Sequence, residues 1–523
     1  MVSPRYQRQS SQDWGTSRPW LWAIKSRLGR RQQFACVALA FLTFLTLTGL
    51  AHQHVTTTPH SSSSASSADS PSAPSKLPPP SNWEAVLKWE AALPQHDPSL
   101  PFPEGRTGRY VRFSNQAKGL GWNNCLNEEL MNLHIAYLTG RSYVFMPYIW
   151  APHHYPWPEN QWLRPTFNGP STPLTAIVSG PLAGGPWEEG DSAPRSVSTD
   201  YWEKVCPPDE RVLVDTTAVK PALSELPGDK VLQAWVDLLR PSSTLASWNE
   251  LLSKELQHVG DARCVEIVPP HYTVDFYPQV IDLWLWGDQR VLPLWPLFSS
   301  SPASRLLAPS PVVMAALSRN AYLFPQTPAS IHSARPSPGY AHDPVIPYDR
   351  ILAVHIRRGD YVPHCPNLAE WGSQYYSWAQ LPFLPDHFKR SEGDKDVVLR
   401  HCLPTAEQLA ERIATARAEY VAAGDKKDGE RKVDVLYLLT NEFESDYLTE
   451  VLSLVSASSH WTVVRSTRDL VLDAEQIEVA MVADMEIARR AAVFMGNGWS
   501  SYTSNIIHQR LVDGKEPISI RMT

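Results

Sequence analysis

Basic residues are too few in this 523-residue chain to build a phosphate-binding face: 47 lysines and arginines stand against 54 aspartates and glutamates, a formal net charge of −7. Nucleic-acid binding needs a clustered cationic surface, and no such cluster is found, which excludes that class of partner. Cysteine is scarce too, at six residues. Cys36 lies in an apolar run, leaving Cys125, Cys206, Cys264, Cys365 and Cys402, an odd set that keeps at least one thiol unpaired within a monomer. Two catalytic signatures are missing. A serine-hydrolase elbow needs G-x-S-x-G, whereas GWSSY runs from Gly498. A metal-dependent sugar transferase would show D-x-D after a strand, but Asp394-Lys395-Asp396 sits in SEGDKDVVLRH, a charged loop with no strand leading in.

Long uncharged apolar stretches come down to FACVALAFLTFLTLTGLA at 34–51, enough to cross a slightly thinned bilayer. Lys25, Arg27, Arg30 and Arg31 precede it, while His-, Thr- and Ser-rich sequence follows. The positive-inside rule therefore holds the N-terminus in the cytosol and sends the rest into a lumen. A cleaved signal peptide is the competing reading; the polar leader and the lack of a clean small-x-small site count against it. SSSSASSADSPSAPS and KLPPPS cannot bury a core and read as a flexible stem. The chain is too long for one ordinary core. The expected plan is a tail at 1–33, an anchor at 34–51, a stem at 52–81 and two folded domains at 82–343 and 344–523.

From Gly108 the pattern reads strand (RYVRF), glycine-broken loop, helix (LNEELMNLHIAYL) and strand (SYVFMPYIW), a βαβ unit whose loop sits where open α/β sheets bind ligands. A Pro- and Trp-rich middle with helical patches and no clear repeat follows. Alternation resumes with ILAVHI, PTAEQLAERIATARAEYVAAG, VDVLYLLT, ESDYLTEVLSLVSAS, TVVRS, EVAMVADMEIARRAA, VFMGNG and SSYTSNIIHQR. Such alternation implies parallel doubly wound sheets. The fold class is α/β, with two Rossmann-like domains facing across a cleft.

ILAVHIRRGD places His355, Arg357, Arg358 and Asp360 at the carboxyl end of a strand buried on both faces. A guanidinium matches phosphate oxygens in a planar fork and keeps its charge, and Asp360 can orient one by pairing with it. The competing account is a structural Arg–Asp pair that closes a turn; an adhesive Arg-Gly-Asp tripeptide fits poorly directly behind a buried strand. GNGWSSYTSN supplies glycines for close backbone approach, and Ser500, Ser501, Tyr502 and Thr503 at a helix start, which suits a phosphate better than simple capping does. Cys365 and Cys402 bracket a polar segment and form the preferred disulfide. Each follows a histidine, so zinc must be weighed, but metal knuckles space ligands about two to four residues apart rather than adjacent.

HIRRGD behind an apolar strand, ADMEIARRAAVFMGNGWSSYTSN near the end and GLGWNN in the first half together resemble the GDP-fucose-dependent protein O-fucosyltransferase and α1,6-fucosyltransferase superfamily, here as a membrane-anchored, fungal-type member. The match is specific at these three places and faint between them. The resemblance implies a GT-B-like fold and an inverting transfer of fucose from GDP-fucose to a protein or glycan hydroxyl, with no metal or other cofactor. It puts Arg357 on the donor diphosphate, His355 near the nucleotide and Asp484 on guanine. Ser500, Ser501 and Thr503 fall on phosphate-contacting hydroxyls, and Asn123 on a loop asparagine between donor and acceptor. The chain departs from the pattern twice. Leu120 stands where one branch has a glutamate base, and Asn441 where an acidic residue often contacts ribose or base. Glu128 and Glu129 follow the glycine loop and read as solvated helix carboxylates, with reach into the site as the alternative. Anchor, stem and lumenal part follow the layout of a type II Golgi or ER enzyme. A catalytically silent nucleotide-sugar-binding protein, or a transferase for another deoxysugar, are the other readings.

Overall fold

The computed structural model describes residues 77–523 apart from 167–168, 242–255, 257, 271–276, 326–345, 389–394, 425–430, 443–444 and 458–459. The expected anchor at 34–51, the tail and most of the stem lie outside the described residues, as does Asp394. Among the described residues no helix is long and apolar enough to cross a membrane.

The first half contains β1 (Tyr110–Phe113), α1 (Trp122–Leu138), β2 (Ser142–Phe145), β3 (Val197–Ser198), β4 (Arg211–Asp215), α2 (Gly228–Leu239) and β5 (Cys264–Val268). Its strands are parallel in the order β3-β2-β1-β5-β4. The second half contains β6 (Ile351–Ile356), α3 (Tyr361–Trp371), α4 (Lys395–Cys402), α5 (Ala406–Ala422), β7 (Val435–Thr440), α6 (Ser445–Ser456), β8 (Val463–Ser466), α7 (Ala480–Arg490), β9 (Val493–Gly496), α8 (Ser501–Val512) and β10 (Ile520–Met522). Its strands are parallel in the order β8-β7-β6-β9-β10. The protein is α/β with two doubly wound parallel sheets, as its alternating pattern predicts.

β6 shows why its sequence does not alternate. Leu352, Val354 and Ile356 pack under Leu409 and Ile413 of α5 and Leu448 and Val451 of α6, while Ile351 and Ala353 join the larger core on the other face. Both faces are covered, so every position is apolar until the strand ends. β6 is also the strand where the sheet order reverses, with β7 on one side and β9 on the other.

The segment between Cys365 and Cys402, polar by composition, is helical at both ends. Its ends belong to α3 and α4, each with a narrow apolar face: Cys365, Leu368 and Ala369 on α3, Val398 and Cys402 on α4. Lys395 and Asp396 accordingly begin a helix rather than lie in a loop. Cys365 and Cys402 are bonded, with Cα atoms 5.9 Å apart, and Cys206 is bonded to Cys264 at the start of β5. Among the described residues Cys125 is the free, buried thiol.

Each half is knotted by a buried arginine. Arg141, beside β2, donates to the carbonyls of Leu239, Ala262 and Gly260 at 3.0, 2.9 and 2.9 Å. Arg510 of α8 donates to the carbonyls of Ala488, Ala491 and Ala492 at 2.8, 2.7 and 3.1 Å and to Ser519 Oγ at 2.8 Å, tying α7, β9 and the approach to β10 together. Among the described residues no other side chain reaches so many carbonyls from one buried point. Arg510→Met should lower the unfolding free energy by about 3 kcal/mol, because it leaves several buried acceptors unsatisfied. Denaturant midpoints would show it; an unchanged midpoint would mean that water replaces the guanidinium without cost.

Candidate active site

The loop after β6 is built around one carboxylate. Arg357 Nη2 donates to Asp360 Oδ2 at 2.7 Å, and Asn441 Nδ2, just beyond β7, donates to Asp360 Oδ1 at 3.0 Å. Asn441 Oδ1 accepts from the Arg358 amide at 3.2 Å. Gly359 makes this approach possible, since a Cβ there would lie 2.6 Å from Asn441 Nδ2. Asn441 thus shapes the loop, instead of standing free toward a ribose or base. The Arg357 guanidinium lies over the Tyr361 ring, 5.1 Å from its centroid, and its buried Nε has no hydrogen-bond partner among the described residues. Arg358 takes the opposite side. Its guanidinium sits 3.9 Å over the Tyr447 ring and 3.3 Å from Glu442 Oε2, toward β7, so it is not beside Arg357 as a second phosphate ligand.

The end of β9 meets this loop from the other neighbour of β6. Asn497 Oδ1 accepts from the Trp499 amide at 3.0 Å, and its Nδ2 donates to the Cys402 carbonyl at 2.9 Å. Tyr375 packs where a Gly498 side chain would be, and the Tyr376 amide donates to the Gly498 carbonyl at 2.8 Å. Tyr361 OH donates to the Trp499 carbonyl at 3.0 Å, which joins the two loops. Ser500 caps α8 by accepting from the Tyr502 amide at 3.3 Å, and Ser501 opens the helix half-buried. Thr503 Oγ1 and His355 Nδ1 are 2.9 Å apart, and the His355 ring lies 4.5 Å from that of Tyr502. Burial and then the Arg357 charge push His355 down to about 3, so it is neutral at ordinary pH. His355 and Thr503 are both buried and satisfy each other, while Tyr502 OH donates to the Met481 carbonyl at 2.8 Å. These three brace the loop from beneath.

Asp484 is closed in. Both its oxygens accept hydroxyl donors, from Tyr437 and, at 2.8 Å, from Thr467. Burial raises its carboxyl to about 6, against the pull of those two hydroxyls. It stands behind Tyr502, whose phenol it helps to push up after burial.

In the first half, the glycine loop is pinned by backbone and ring. The Gly119 amide donates to the Ile149 carbonyl at 3.0 Å, and Tyr148 OH to the Leu120 carbonyl at 2.8 Å. Asn123 is not a loop residue. It lies in the first turn of α1, buried, and its carbonyl and Oδ1 accept from Asn505 Nδ2 of α8 at 3.0 and 3.1 Å. Glu128 and Glu129 are buried rather than solvated, at 2% and 3% exposure, because α1 is enclosed between the first sheet and the second half. Glu128 Oε2 accepts from the Ala117 amide at 2.6 Å. Burial lifts Glu128 well above the usual carboxylate range and Glu129 to about 8. Sequence reasoning missed Tyr361, Tyr375, Trp499 and His154. Tyr361 follows HIRRGD by one residue and Trp499 lies within GNGWSSYTSN, and aromatic side chains at a strand–helix turn were the available signal.

A carboxyl raised by folding stabilises below its unfolded value, near pH 4, and that contribution is lost as pH rises through about 6. Asp484→Asn removes the ionisation. Between about pH 4 and pH 7 its unfolding free energy should shift in its favour over wild type by about 2 kcal/mol. Parallel denaturation curves at both pH values test this, and a constant gap would show that Asp484 stays ionised in the fold.

No family model and no curated protein matches the chain. Among solved structures it is similar to POFUT1 in complex with GDP-fucose, at 12% identity over 79% of this chain and 97% of that one, TM-score 0.44. POFUT1 in complex with GDP gives 12% identity over 80% and 98%, TM-score 0.44. A mutant of Arabidopsis thaliana FUT1 in complex with GDP gives 10% identity over 82% and 74%, TM-score 0.32.

Proposed function

We propose that this protein is a glycosyltransferase that moves fucose from GDP-fucose to a hydroxyl of a protein or glycan, by inversion and without metal assistance. The observation that carries the reading is Arg357. Its guanidinium is held by Asp360 and Tyr361 at the carboxyl end of β6, with one buried N–H left unpartnered, opposite the start of α8. A diphosphate there would meet a preset fork and the first-turn amides of a helix. As the sugar C1–O bond breaks, negative charge grows on the departing phosphate oxygen, and Arg357 with the Ser500–Ser501 turn would stabilise it. The motif resemblance supplies fucose and guanine as the sugar and base. Two disulfides support an oxidising compartment, consistent with a type II anchor at 34–51 and a catalytic part in the Golgi or ER lumen. Leu120, which cannot take a proton, favours the second reading, a silent nucleotide-sugar-binding protein; turnover separates the two.

The test is GDP affinity and GDP-fucose turnover for the full-length chain and three variants. Arg357→Ala should cost on the order of 3 kcal/mol in transition-state stabilisation, roughly a hundredfold in rate. Arg357→Lys should recover little, since an ammonium lacks the planar fork. Arg358→Ala, whose side chain faces Tyr447 and Glu442, should cost much less. Near-wild-type turnover in Arg357→Ala, or greater damage from Arg358→Ala in a folded protein, would overturn the assignment. GDP binding with no turnover in the wild type would leave the silent reading.

A further inference from the structure

An acceptor hydroxyl must lose a proton as it attacks, and the glycine loop holds no group to take it, since Leu120 fills the position. The nearby carboxylates are either paired or shut away by burial, Glu128 Oε1 and Glu129 Oε2 having no hydrogen-bond partner among the described residues. Asp360 is bonded by Arg357 and Asn441, Glu128 is buried and accepts from Ala117, and Glu129 is enclosed near Cys125, Tyr143 and Tyr148.

His154 is open. It ends a short turn, Pro152–His154, that follows the strand Tyr148–Ile149, the same strand that pins the glycine loop. A methyl group built on Gly121 would lie 3.8 Å from His154 Cε1 and 3.9 Å from Nδ1, so the imidazole stands directly over the loop. The next residue fixes the turn to the second half, because Tyr155 OH donates to Glu478 Oε1 at 3.1 Å. The ring is half-buried, and no hydrogen bond reaches either nitrogen among the described residues. Its charged surroundings are Arg357 and Asp360 from the loop after β6 and His153 from its own turn, whose ring centroid is 4.1 Å away.

We infer that His154 is the general base of the transfer, placed between the glycine loop and Arg357 in the role that Leu120 cannot fill. This rests on the fucosyl-transfer reading. In the step, the acceptor oxygen bonds to C1 of fucose while the C1–O bond to the β-phosphate breaks. The bonding pair leaves with GDP, the hydroxyl proton passes to an imidazole nitrogen, and solvent then removes it. Burial, His153 and Arg357 lower His154 to about 4 in the free protein, so the imidazole is neutral and able to accept. A bound diphosphate offsets the Arg357 charge and strengthens the base when it is needed.

The experiment uses the full-length chain and GDP-fucose with water as acceptor, read as GDP release, with GDP affinity measured alongside. His154→Gln should lower kcat by about a hundredfold or more, the usual range for a lost general base, while GDP affinity stays within about twofold. The acid limb of the wild-type kcat–pH profile should vanish in His154→Gln, and added imidazole should restore turnover to His154→Ala. His153→Gln should change kcat less than about threefold. His154→Gln with wild-type kcat, or no imidazole rescue together with lost GDP affinity, overturns the base while the transfer reading stands. No GDP release by the wild type overturns both.

Discussion

The reversal of strand order at β6 is the constraint on which the second half depends. The chain runs from β6 toward β7 and from β9 toward β10, in opposite directions along the sheet, which is the arrangement in which loops beyond the carboxyl ends of open α/β sheets part to leave a gap for ligand. Everything charged in the site is arranged around that gap. Arg357 and Asp360 come from one lip, the Asn497–Ser500 turn from the other, and the Tyr361 bond to the Trp499 carbonyl sets their separation. The first half is fastened to the same place through the amide of Asn505 on Asn123 and through Glu478, which accepts from Trp83, Thr172 and Tyr155. A glycine loop held by its own sheet is thereby brought against the crevice of the other.

That fastening has a cost in α1. Only Asn124, Tyr137 and Leu138 of the helix are not buried, yet it carries Asn127, Glu128, Glu129, Asn132 and His134. Ionised, the two glutamates would be prohibitive at such depth; shifting upward lets them stay neutral, with Glu128 Oε2 accepting from the Ala117 amide. His134 is shifted the other way, to about 4, by the same burial, and is neutral too. The helix is therefore charge-free while looking charged in sequence. A polar helix lodged between two sheets gives up hydrophobic stabilisation, and what it gains is the placement of Asn123 at its first turn.

The parallel sheets were legible because strands covered on both faces are written as unbroken apolar runs, and β6, β7 and β9 are such runs. β5 was not, because Glu266 interrupts it; that carboxylate is tolerated near Arg112 and Arg211, both 3.6 Å away, which only the folded sheet brings together. β10 was missed because three residues at the end of a chain carry no period. In the site, Arg357 and Asp360 were legible from position alone. The turn of Arg358 toward Tyr447, the closure of Asp484 by Tyr437 and Thr467, and the place of His154 depend on partners on other elements, 17 residues away for Thr467 and farther for Tyr437, and no local pattern encodes them.

Asn441 shows how the loop after β6 limits its neighbours. The amide nitrogen gives a hydrogen bond to Asp360 while the amide oxygen takes one from the Arg358 backbone, 3.0 and 3.2 Å away. A carboxylate in its place could accept from the Arg358 amide but would set a second negative charge at hydrogen-bond distance from Asp360, with no donor between them. Asp360 would then be drawn away from one partner, and Arg357 would lose the contact that fixes its fork. The asparagine is thus the residue type that lets Asp360 hold Arg357 without competing for it. Leu120 is the corresponding case on the other side of the crevice. Its partly buried side chain packs against the core, its carbonyl accepts from Tyr148, and the ring of His154 stands over the loop it belongs to. The same strand that pins the glycine loop thus leads into the turn that carries the imidazole of His154 over it.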